Sequence, residues 1–362
     1  MNVARVFVLL WAAVAAIAPA RAQPLPADLG ERWITGYIRP ASAALVAAAS
    51  NAGRAVDAYC AAPADASLRD DLRTQIHALA GAWGRVAFLR FGPLVEANRF
   101  ERLFFFPDPR GLVVKQTAAA IATAGAQPLD IDALRARSVA VQGLGALEYA
   151  LFDGEAGATI ARGEADGRAR CAYARGVAAA LQRTAEELAQ GWQATSAFAR
   201  EFGRPGKDNR LYRTSAEVAA EAIKASSGGI RFVRDIQLLP ALGADAASAR
   251  GQRLPLWRSG ASAALLAGTI EGLRDFVAAG RLTPALAPEQ RWVPAAFADE
   301  ASRIAAQWRS LSSPLDHAIA DSALRGPIEL SVLQLKNLQD INDAYLAPAL
   351  GVSIGFNAFD GD

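Results

Sequence analysis

The sequence predicts an all-α fold made of two helical domains, each similar to a four-helix bundle. The 362 residues are rich in alanine and leucine and contain only six tyrosines, a composition that favours helices over sheets. Apolar residues recur at the spacing of amphipathic helices, and no segment of useful length alternates between apolar and polar residues as a strand does. About four predicted helices stand on either side of residues 202–209, whose glycines, proline and charges predict a linker.

The N-terminus has the pattern of a cleavable signal peptide. Arg5 precedes the unbroken apolar run 6–17, and Ala20-Arg21-Ala22 places small residues at the positions that define a cleavage site. The run is shorter than the roughly 20 residues that a membrane-spanning helix needs. We therefore expect export to the periplasm, cleavage after Ala22, and a mature chain without a transmembrane segment.

The predicted division of the chain is a signal peptide at residues 1–22, an N-terminal helical bundle domain at residues 23–205 and a C-terminal helical bundle domain at residues 206–362. Removal of the signal peptide removes two arginines and no acid, so the mature chain carries equal numbers of basic and acidic residues. This balance gives no reason to expect nucleic acid or an anionic membrane as a partner. One large irregular helical domain is the alternative to two bundles.

The elements of the first half follow from breakers and periodicity. A helix over residues 28–59 is expected to be kinked or interrupted at Pro40, and Ser67 is expected to cap the next helix. Residues 100–111 contain three consecutive phenylalanines and two prolines, which predicts an ordered loop whose rings fill a core. Residues 138–152 are apolar almost all round and predict a buried central helix.

The remaining helices follow the same rules. Apolar residues mark one face of a long helix through residues 173–192. Thr214 and Glu217 have the spacing of a capping box, and Gly228-Gly229 is expected to interrupt or kink the helix that starts there. Further helices fit residues 257–279, 294–311, 314–324 and 327–345.

Cys60 and Cys171 are the only cysteines. In an oxidising compartment, an even pair favours a disulfide over free thiols. We predict that the two are bridged, with two buried free thiols as the alternative.

The motifs of common hydrolases and nucleotide-binding proteins are absent from the sequence. It contains no HExxH zinc-protease motif, no GxSxG elbow, no phosphate-binding loop that ends in Lys-Ser/Thr, and no CxxC. The two histidines, His77 and His317, are both interpreted as solvated or capping residues.

Glu148 is the one acidic side chain within the apolar segment 138–152. A buried carboxylate is costly unless it is paired, hydrogen-bonded or coordinated. Two interpretations stay open: a ligand or hydrogen-bonding anchor in the bundle interior, or a carboxylate that pairs with an arginine or accepts backbone hydrogen bonds from residues 100–111.

Four segments of the sequence resemble the imelysin family, in the same order and with similar spacing across nearly the whole mature chain. Residues 143–152, which begin at Gly143, resemble the family segment of the form G-x-H-x-x-E. The other three segments are Trp83 with Phe91-Gly92-Pro93, residues 103–111 with Pro107 and Arg110, and residues 346–362 with Asn357 and Asp360.

The resemblance implies a two-domain, all-helical protein of the periplasm or cell envelope. The family is often linked to iron acquisition and includes relatives of the periplasmic component of ferrous-iron uptake systems, while some members carry a metallopeptidase label. In the family motif, His and Glu lie one helical turn apart, a spacing suited to holding one metal ion. The ligand implied is iron or another divalent metal, and the partner implied is a membrane transport component.

This sequence departs from the family motif at the histidine position, which is Gly145. Glu148 alone is a weak site for a transition metal, and the sequence offers only further carboxylates, of which Asp108 is the candidate. We therefore expect a non-catalytic binding or accessory protein in iron or other metal uptake, with a degenerate site and no certain cofactor. The alternatives are a divergent metallopeptidase that uses Glu148 as general base, and a purely structural or interaction module.

Overall fold

The computed structural model describes residues 24–125 and 127–353, and every regular element within them is helical. No strand occurs in these two ranges, which confirms the predicted all-α class. In the same part of the chain, no helix combines the length and the apolar character needed to cross a membrane. The signal peptide, Asn357 and Asp360 lie outside the described residues.

The described residues contain α-helices of widely differing length, interspersed with short 3₁₀ and π turns. In chain order, the α-helices are α1 Leu29–Trp33, α2 Arg39–Ala61, α3 Ala66–Ala87, α4 Arg99–Leu103, α5 Leu112–Ala124, α6 Ile131–Arg135, α7 Gly143–Phe152, α8 Ala156–Ala161, α9 Ala165–Gly191, α10 Ala197–Gly203, α11 Ser215–Arg231, α12 Leu239–Leu242, α13 Ser262–Ala279, α14 Val293–Arg309, α15 Leu315–Ala318, α16 Gly326–Asp340 and α17 Ala347–Ala349. The π turns are Ile34–Ile38, Phe232–Leu238 and Ile341–Leu346, and the 3₁₀ turns are Gly92–Leu94, Glu96–Asn98, Val139–Val141, Gly251–Arg253, Thr283–Ala285 and Pro288–Gln290.

Helices α1 and α2 are joined end to end by the π turn Ile34–Ile38. Pro40 lies in the first turn of α2. Because proline has no N–H, it cannot donate a hydrogen bond to the preceding turn, and the wider π turn stands just before it. The interruption predicted at Pro40 is thus a local change in helical winding within a continuous helical segment.

The helix starts depend on side-chain caps. Thr214 and Glu217 form the predicted capping box at the start of α11, each side chain accepting a hydrogen bond from the backbone of the other. The cap predicted at Ser67 is wrong, because Asp65 is the N-cap of α3 and accepts a hydrogen bond from the Ser67 amide at 2.8 Å. Aspartate is among the strongest N-cap residues, so the helix begins two residues earlier.

Helix α11 continues through Gly228 and Gly229, where the sequence predicted an interruption. A Cβ atom on Gly229 would lie 2.6 Å from the Cβ of Phe88. Glycine therefore serves close packing between α11 and the end of α3, and the change in winding comes later, at the π turn Phe232–Leu238.

The helix predicted over residues 257–279 begins only at Ser262. Leu256 and Gly260 have φ angles of 55° and 74°, in the left-handed region that a right-handed helix does not contain. The residues before α13 form an irregular segment instead. The helix predicted over residues 314–324 is likewise shorter and ends at Ala318.

Helix α3 lies between two groups of helices. On one side it packs against α2, which packs against α9, and α5 and α7 pack against α9 in turn. On the other side α3 packs against α13, followed by α14 and α16. One continuous hydrophobic core runs through both groups. The domain division at residue 205 stays a prediction, and α3 is the helix that joins the two groups.

The disulfide between Cys60 and Cys171 confirms the predicted pairing. Cys60 lies at the end of α2 and Cys171 in the first third of α9. The bond therefore fixes two long helices of the first group to each other.

Candidate ligand-binding cleft

Helix α7 forms the floor of a cleft, and its first residue, Gly143, allows it to pack closely against α4. Gly143 has a φ of +76°, and a Cβ atom on it would lie 2.6 Å from the carbonyl oxygens of Arg102 and Leu103. Only glycine allows both this conformation and this approach. Gly145 and Glu148, one turn apart on α7, both line the cleft.

The first wall of the cleft consists of residues 104–111. The sequence predicted a loop from residue 100, but residues 99–103 form α4, and the irregular backbone begins at Phe104. Prolines 107 and 109 prevent helix after that point. The rings of Phe104 and Phe106 stack with centroids 5.5 Å apart and an interplanar angle of 5°. The prediction that these rings fill a core holds for Phe104, which is buried, while Phe105 and Phe106 are half-buried.

Asp108 lies in the first wall, where its carboxylate caps α5. Its two oxygens accept hydrogen bonds from the backbone amides of Leu112 at 2.8 Å and Val113 at 2.7 Å. Both oxygens thereby accept backbone hydrogen bonds at a helix N-terminus, as a capping side chain does. Asp108 therefore lines the cleft, but both of its carboxylate oxygens are used in hydrogen bonds that hold the start of α5.

The second wall consists of residues 252–258, which precede α13. The guanidinium of Arg258 pairs with Asp153 at the end of α7 and lies over the ring of Trp257, 4.6 Å from its centroid. The left-handed conformation of Leu256 within this wall is costly for a branched residue, and such strain is held by surrounding contacts. Together the two walls and the floor enclose a cavity of about 590 Å³, a volume typical of small-molecule sites.

Glu148 anchors the second wall to the floor. The side chain is 4% exposed, and its Oε1 accepts hydrogen bonds from the backbone amide of Ser259 at 2.9 Å and from its hydroxyl at 2.8 Å. Burial raises the pKa of Glu148 to about 6, opposed by these hydrogen bonds and by the charge of Arg258. The carboxylate does accept a backbone hydrogen bond, but from the segment before α13 and not from residues 100–111, as one of the sequence alternatives had it.

Ser259 forms hydrogen bonds with the cleft floor and with α3, and the sequence analysis did not single it out. Its carbonyl oxygen accepts hydrogen bonds from Arg73 Nη1 at 2.8 Å and from His77 Nε2 at 2.9 Å, both on α3. His77 thus caps a backbone carbonyl, in line with the capping role that the sequence suggested. Glu148 and His77 thus contact the same residue, Glu148 at its amide and hydroxyl groups and His77 at its carbonyl oxygen, which no local sequence signal indicates.

Gly145, which the sequence resemblance places at the histidine position of the family motif, contributes no side chain. A Cβ atom there would lie 3.4 Å from Cγ1 of Val113 and 3.9 Å from Cε2 of Phe104, so the space beside Glu148 is open to a small substituent. Within the described ranges, no group of three or more His, Cys, Asp or Glu residues is placed to hold a metal ion. One engaged glutamate and a glycine do not fit the donor set that a transition metal requires.

The effect of Glu148 on stability should depend on pH. Its folded-state pKa of about 6 is above the unfolded value of roughly 4.3, so the folded protein binds this proton more tightly. The stabilisation is full below the unfolded pKa and is lost as the pH rises through the folded pKa. We expect the unfolding free energy of Glu148→Gln, relative to the parent, to rise by about 2 kcal/mol between about pH 4 and about pH 7.5.

Urea unfolding of both proteins at the two pH values measures this difference. Glu186→Gln, which neutralises an exposed glutamate on α9, is the matched control and should change little between the two conditions. A relative stability of Glu148→Gln that does not vary with pH would contradict the prediction.

The other residues singled out by sequence lie away from the cleft floor. Trp83 is buried on α3 and packs against Phe100, with ring centroids 5.3 Å apart. Arg110 is exposed. His317 is also exposed, and its Nε2 lies 3.5 Å from the carboxylate of Asp316.

The chain is similar to one protein family and to solved structures with the same fold. The family model described as Imelysin matches residues 36–341, and no curated protein matches the chain. An imelysin-like protein from Psychrobacter arcticum 273-4 is similar at 20% identity and a TM-score of 0.75, with 93% of this chain and 100% of that chain covered. A protein from Parabacteroides distasonis ATCC 8503, named as an iron-regulated protein A precursor, is similar at 13% identity and a TM-score of 0.68, with 90% and 98% covered.

These two structural likenesses, at such low identity, show the fold alone. The family model spans most of the chain, including the floor helix, both walls of the cleft and the segment that carries Ser259. The chain therefore belongs to the imelysin family.

Proposed function

We propose that the chain is a non-catalytic binding or accessory protein of the periplasm that serves the uptake of iron or another metal ion. It is exported by the signal peptide at residues 1–22, and its cleft faces a ligand while another surface contacts a membrane transport component. Membership of the imelysin family supports the proposal, as does the name of the Parabacteroides relative as an iron-regulated protein A precursor.

The observation that supports the non-catalytic role is the lack, among the described residues, of metal-binding side chains around Glu148, on the floor of the cleft. Gly145 offers no ligand, and Oε1 of Glu148 accepts two hydrogen bonds from Ser259. A hydrolytic metal centre needs several protein ligands, an open coordination position and a base. The floor of the cleft provides one carboxylate that is already used to hold the opposite wall.

A divergent metallopeptidase is the second candidate, because the pKa of Glu148, raised to about 6 by burial, suits a general base. It would require metal ligands beyond the residues that line the cleft. The third candidate, a structural or interaction module, would leave the cavity of about 590 Å³ without a role.

Iron uptake by the bacterium that makes the protein tests the proposal. We expect cells that lack the gene to accumulate iron more slowly under iron limitation, and expect the parent gene to restore the rate. Purified mature protein should cleave no peptide. Unchanged uptake of iron and of other metal ions in the deletion strain would refute the role, and peptide cleavage that is lost in Glu148→Gln but kept in Glu186→Gln would establish the metallopeptidase instead.

A further inference from the structure

Glu148 is a buried carboxylate that is hydrogen-bonded but not ion-paired within the described part of the chain. Its hydrogen bonds come from Ser259. The nearby cation, Arg258, is paired with Asp153 and stacked on Trp257. The charge of Arg258 acts on the carboxylate from a distance, but no cation of the described residues forms an ion pair with it. A ligand that brings a positive charge would supply that partner.

The space beside this carboxylate is shaped by Gly145. A side chain at this position would begin with a Cβ atom in ordinary contact with Val113 and Phe104, at 3.4 and 3.9 Å. Gly145 and Glu148 both face the cavity. The missing side chain at Gly145 therefore leaves the lining of the cavity open one helical turn from Glu148.

The walls around this space are aromatic and apolar. Phe104 and Phe106 present a stacked pair on one side, and Trp257 lies in the opposite wall. Aromatic faces attract cations and also pack against apolar groups. The other cation of the cleft, Arg253, is exposed, so solvent and salt screen its charge.

An inorganic cation and an organic cation make different demands on such a site. A metal ion must be surrounded by several donor atoms, which the described residues do not provide here. An ammonium, guanidinium or imidazolium group needs one acceptor, because its N–H groups form directed hydrogen bonds and its apolar body packs against the walls.

We propose that the cleft binds an organic cation with an apolar body, its N–H head hydrogen-bonded to Glu148 in the space above Gly145 and its body between the two aromatic walls. The inference rests on the part of the proposed function that makes the cleft a binding site. It is independent of the role in metal uptake.

Three probes of similar shape and different charge test the proposal on the mature protein: benzylamine, benzyl alcohol and benzoate. Ligand-detected NMR titration at neutral pH, where the amine is protonated, measures their affinities. We expect benzylamine to bind about tenfold more tightly than benzyl alcohol, the value of one charge-assisted hydrogen bond, and benzoate to bind most weakly. Equal affinity for the amine and the alcohol, tighter binding of benzoate, or no binding of any probe would overturn the proposal.

Variants locate the binding. Glu148→Gln should reduce the preference for benzylamine over benzyl alcohol about tenfold, and Glu186→Gln should preserve it. Gly145→Leu fills the space without altering the carboxylate and should weaken the binding of both probes, which keeps the test decisive if Glu148→Gln folds poorly. A preference that survives in both cleft variants would place the site elsewhere and refute the proposal.

The uptake assay separates this inference from the proposed function. Normal amine selectivity with unchanged metal uptake in the deletion strain would remove the role in uptake and support the cation site. A defect in uptake together with no amine selectivity would support the role in uptake and refute the cation site.

Discussion

Removal of the disulfide between Cys60 and Cys171 should lower the free energy of unfolding by about 4–5 kcal/mol. The two cysteines are 111 residues apart in sequence. Closing so long a loop restricts the unfolded chain strongly, and the chain-entropy estimate grows with the logarithm of the loop length. The loss is a large fraction of the 5–15 kcal/mol that usually separates the folded and unfolded states.

The double variant Cys60→Ala, Cys171→Ala in urea unfolding measures this loss, since alanine leaves no buried thiol to react. The parent protein unfolded with a reducing agent is the matched comparison and should give a similar decrease. A decrease of less than about 1 kcal/mol in both would mean that the unfolded chain is already compact between the two positions.

The bridge also bears on the cleft through a chain of contacts. It holds α2 against α9, and α7, the floor helix, packs on α9. Loss of the bridge should therefore loosen the floor as well as the first group of helices.

The parts of the fold that the sequence predicted are those set by local physics. The capping box at Thr214 requires only residues three apart. The buried helix α7 follows from a segment that is apolar all round. Even where the position was wrong, as at Ser67, the error was two residues, because Asp65 and Ser67 are equally good N-cap residues and the local sequence does not choose between them.

The parts of the site that the sequence could not predict depend on distant contacts. Glu148 was singled out because it is an acid in an apolar segment, but its partner Ser259 is 111 residues further along the chain. The segment around Ser259 looked helical by periodicity, and the left-handed φ angles of Leu256 and Gly260 that break it are imposed by tertiary packing. The aromatic wall at residues 104–111 was recognisable because three phenylalanines and two prolines carry their own signal.

Glycine at the crossing of α3 and α13 sets the distance between the two groups of helices. A Cβ atom on Gly268 would lie 2.3 Å from the carbonyl oxygen of Gly81 and 2.9 Å from its Cα. On the other face of the same crossing, a Cβ on Gly84 would lie 2.4 Å from the carbonyl oxygen of Leu265. These are backbone atoms, which cannot rotate away as a side chain can, so α3 and α13 would have to separate.

Gly268→Ala should therefore destabilise the protein by about 3 kcal/mol, the upper range of overpacking costs, although alanine is the better helix former by about 1 kcal/mol. Gly157→Ala is the matched control. Gly157 is a glycine in α8 with no atom within 4 Å of the added Cβ, so this substitution should leave stability unchanged or raise it by up to about 1 kcal/mol. If the two Gly→Ala substitutions change the free energy of unfolding in opposite directions, the cause is the helix crossing. Equal changes would contradict the close packing of α3 on α13.

The same substitution should reach the cleft, because the crossing positions the residues that hold its second wall. Arg73 and His77 on α3 bind the carbonyl of Ser259, three residues before α13 begins. If Gly268→Ala moves α13 away from α3, these hydrogen bonds lengthen and Ser259 withdraws from Glu148. Loss of the Ser259 hydrogen bonds would raise the pKa of Glu148, whereas entry of water would lower it, and burial is the larger of the two causes. The relative stability of Glu148→Gln should then depend less on pH in the Gly268→Ala background than in the parent. An undiminished pH dependence in that background would show that the second wall keeps its place independently of the helix crossing.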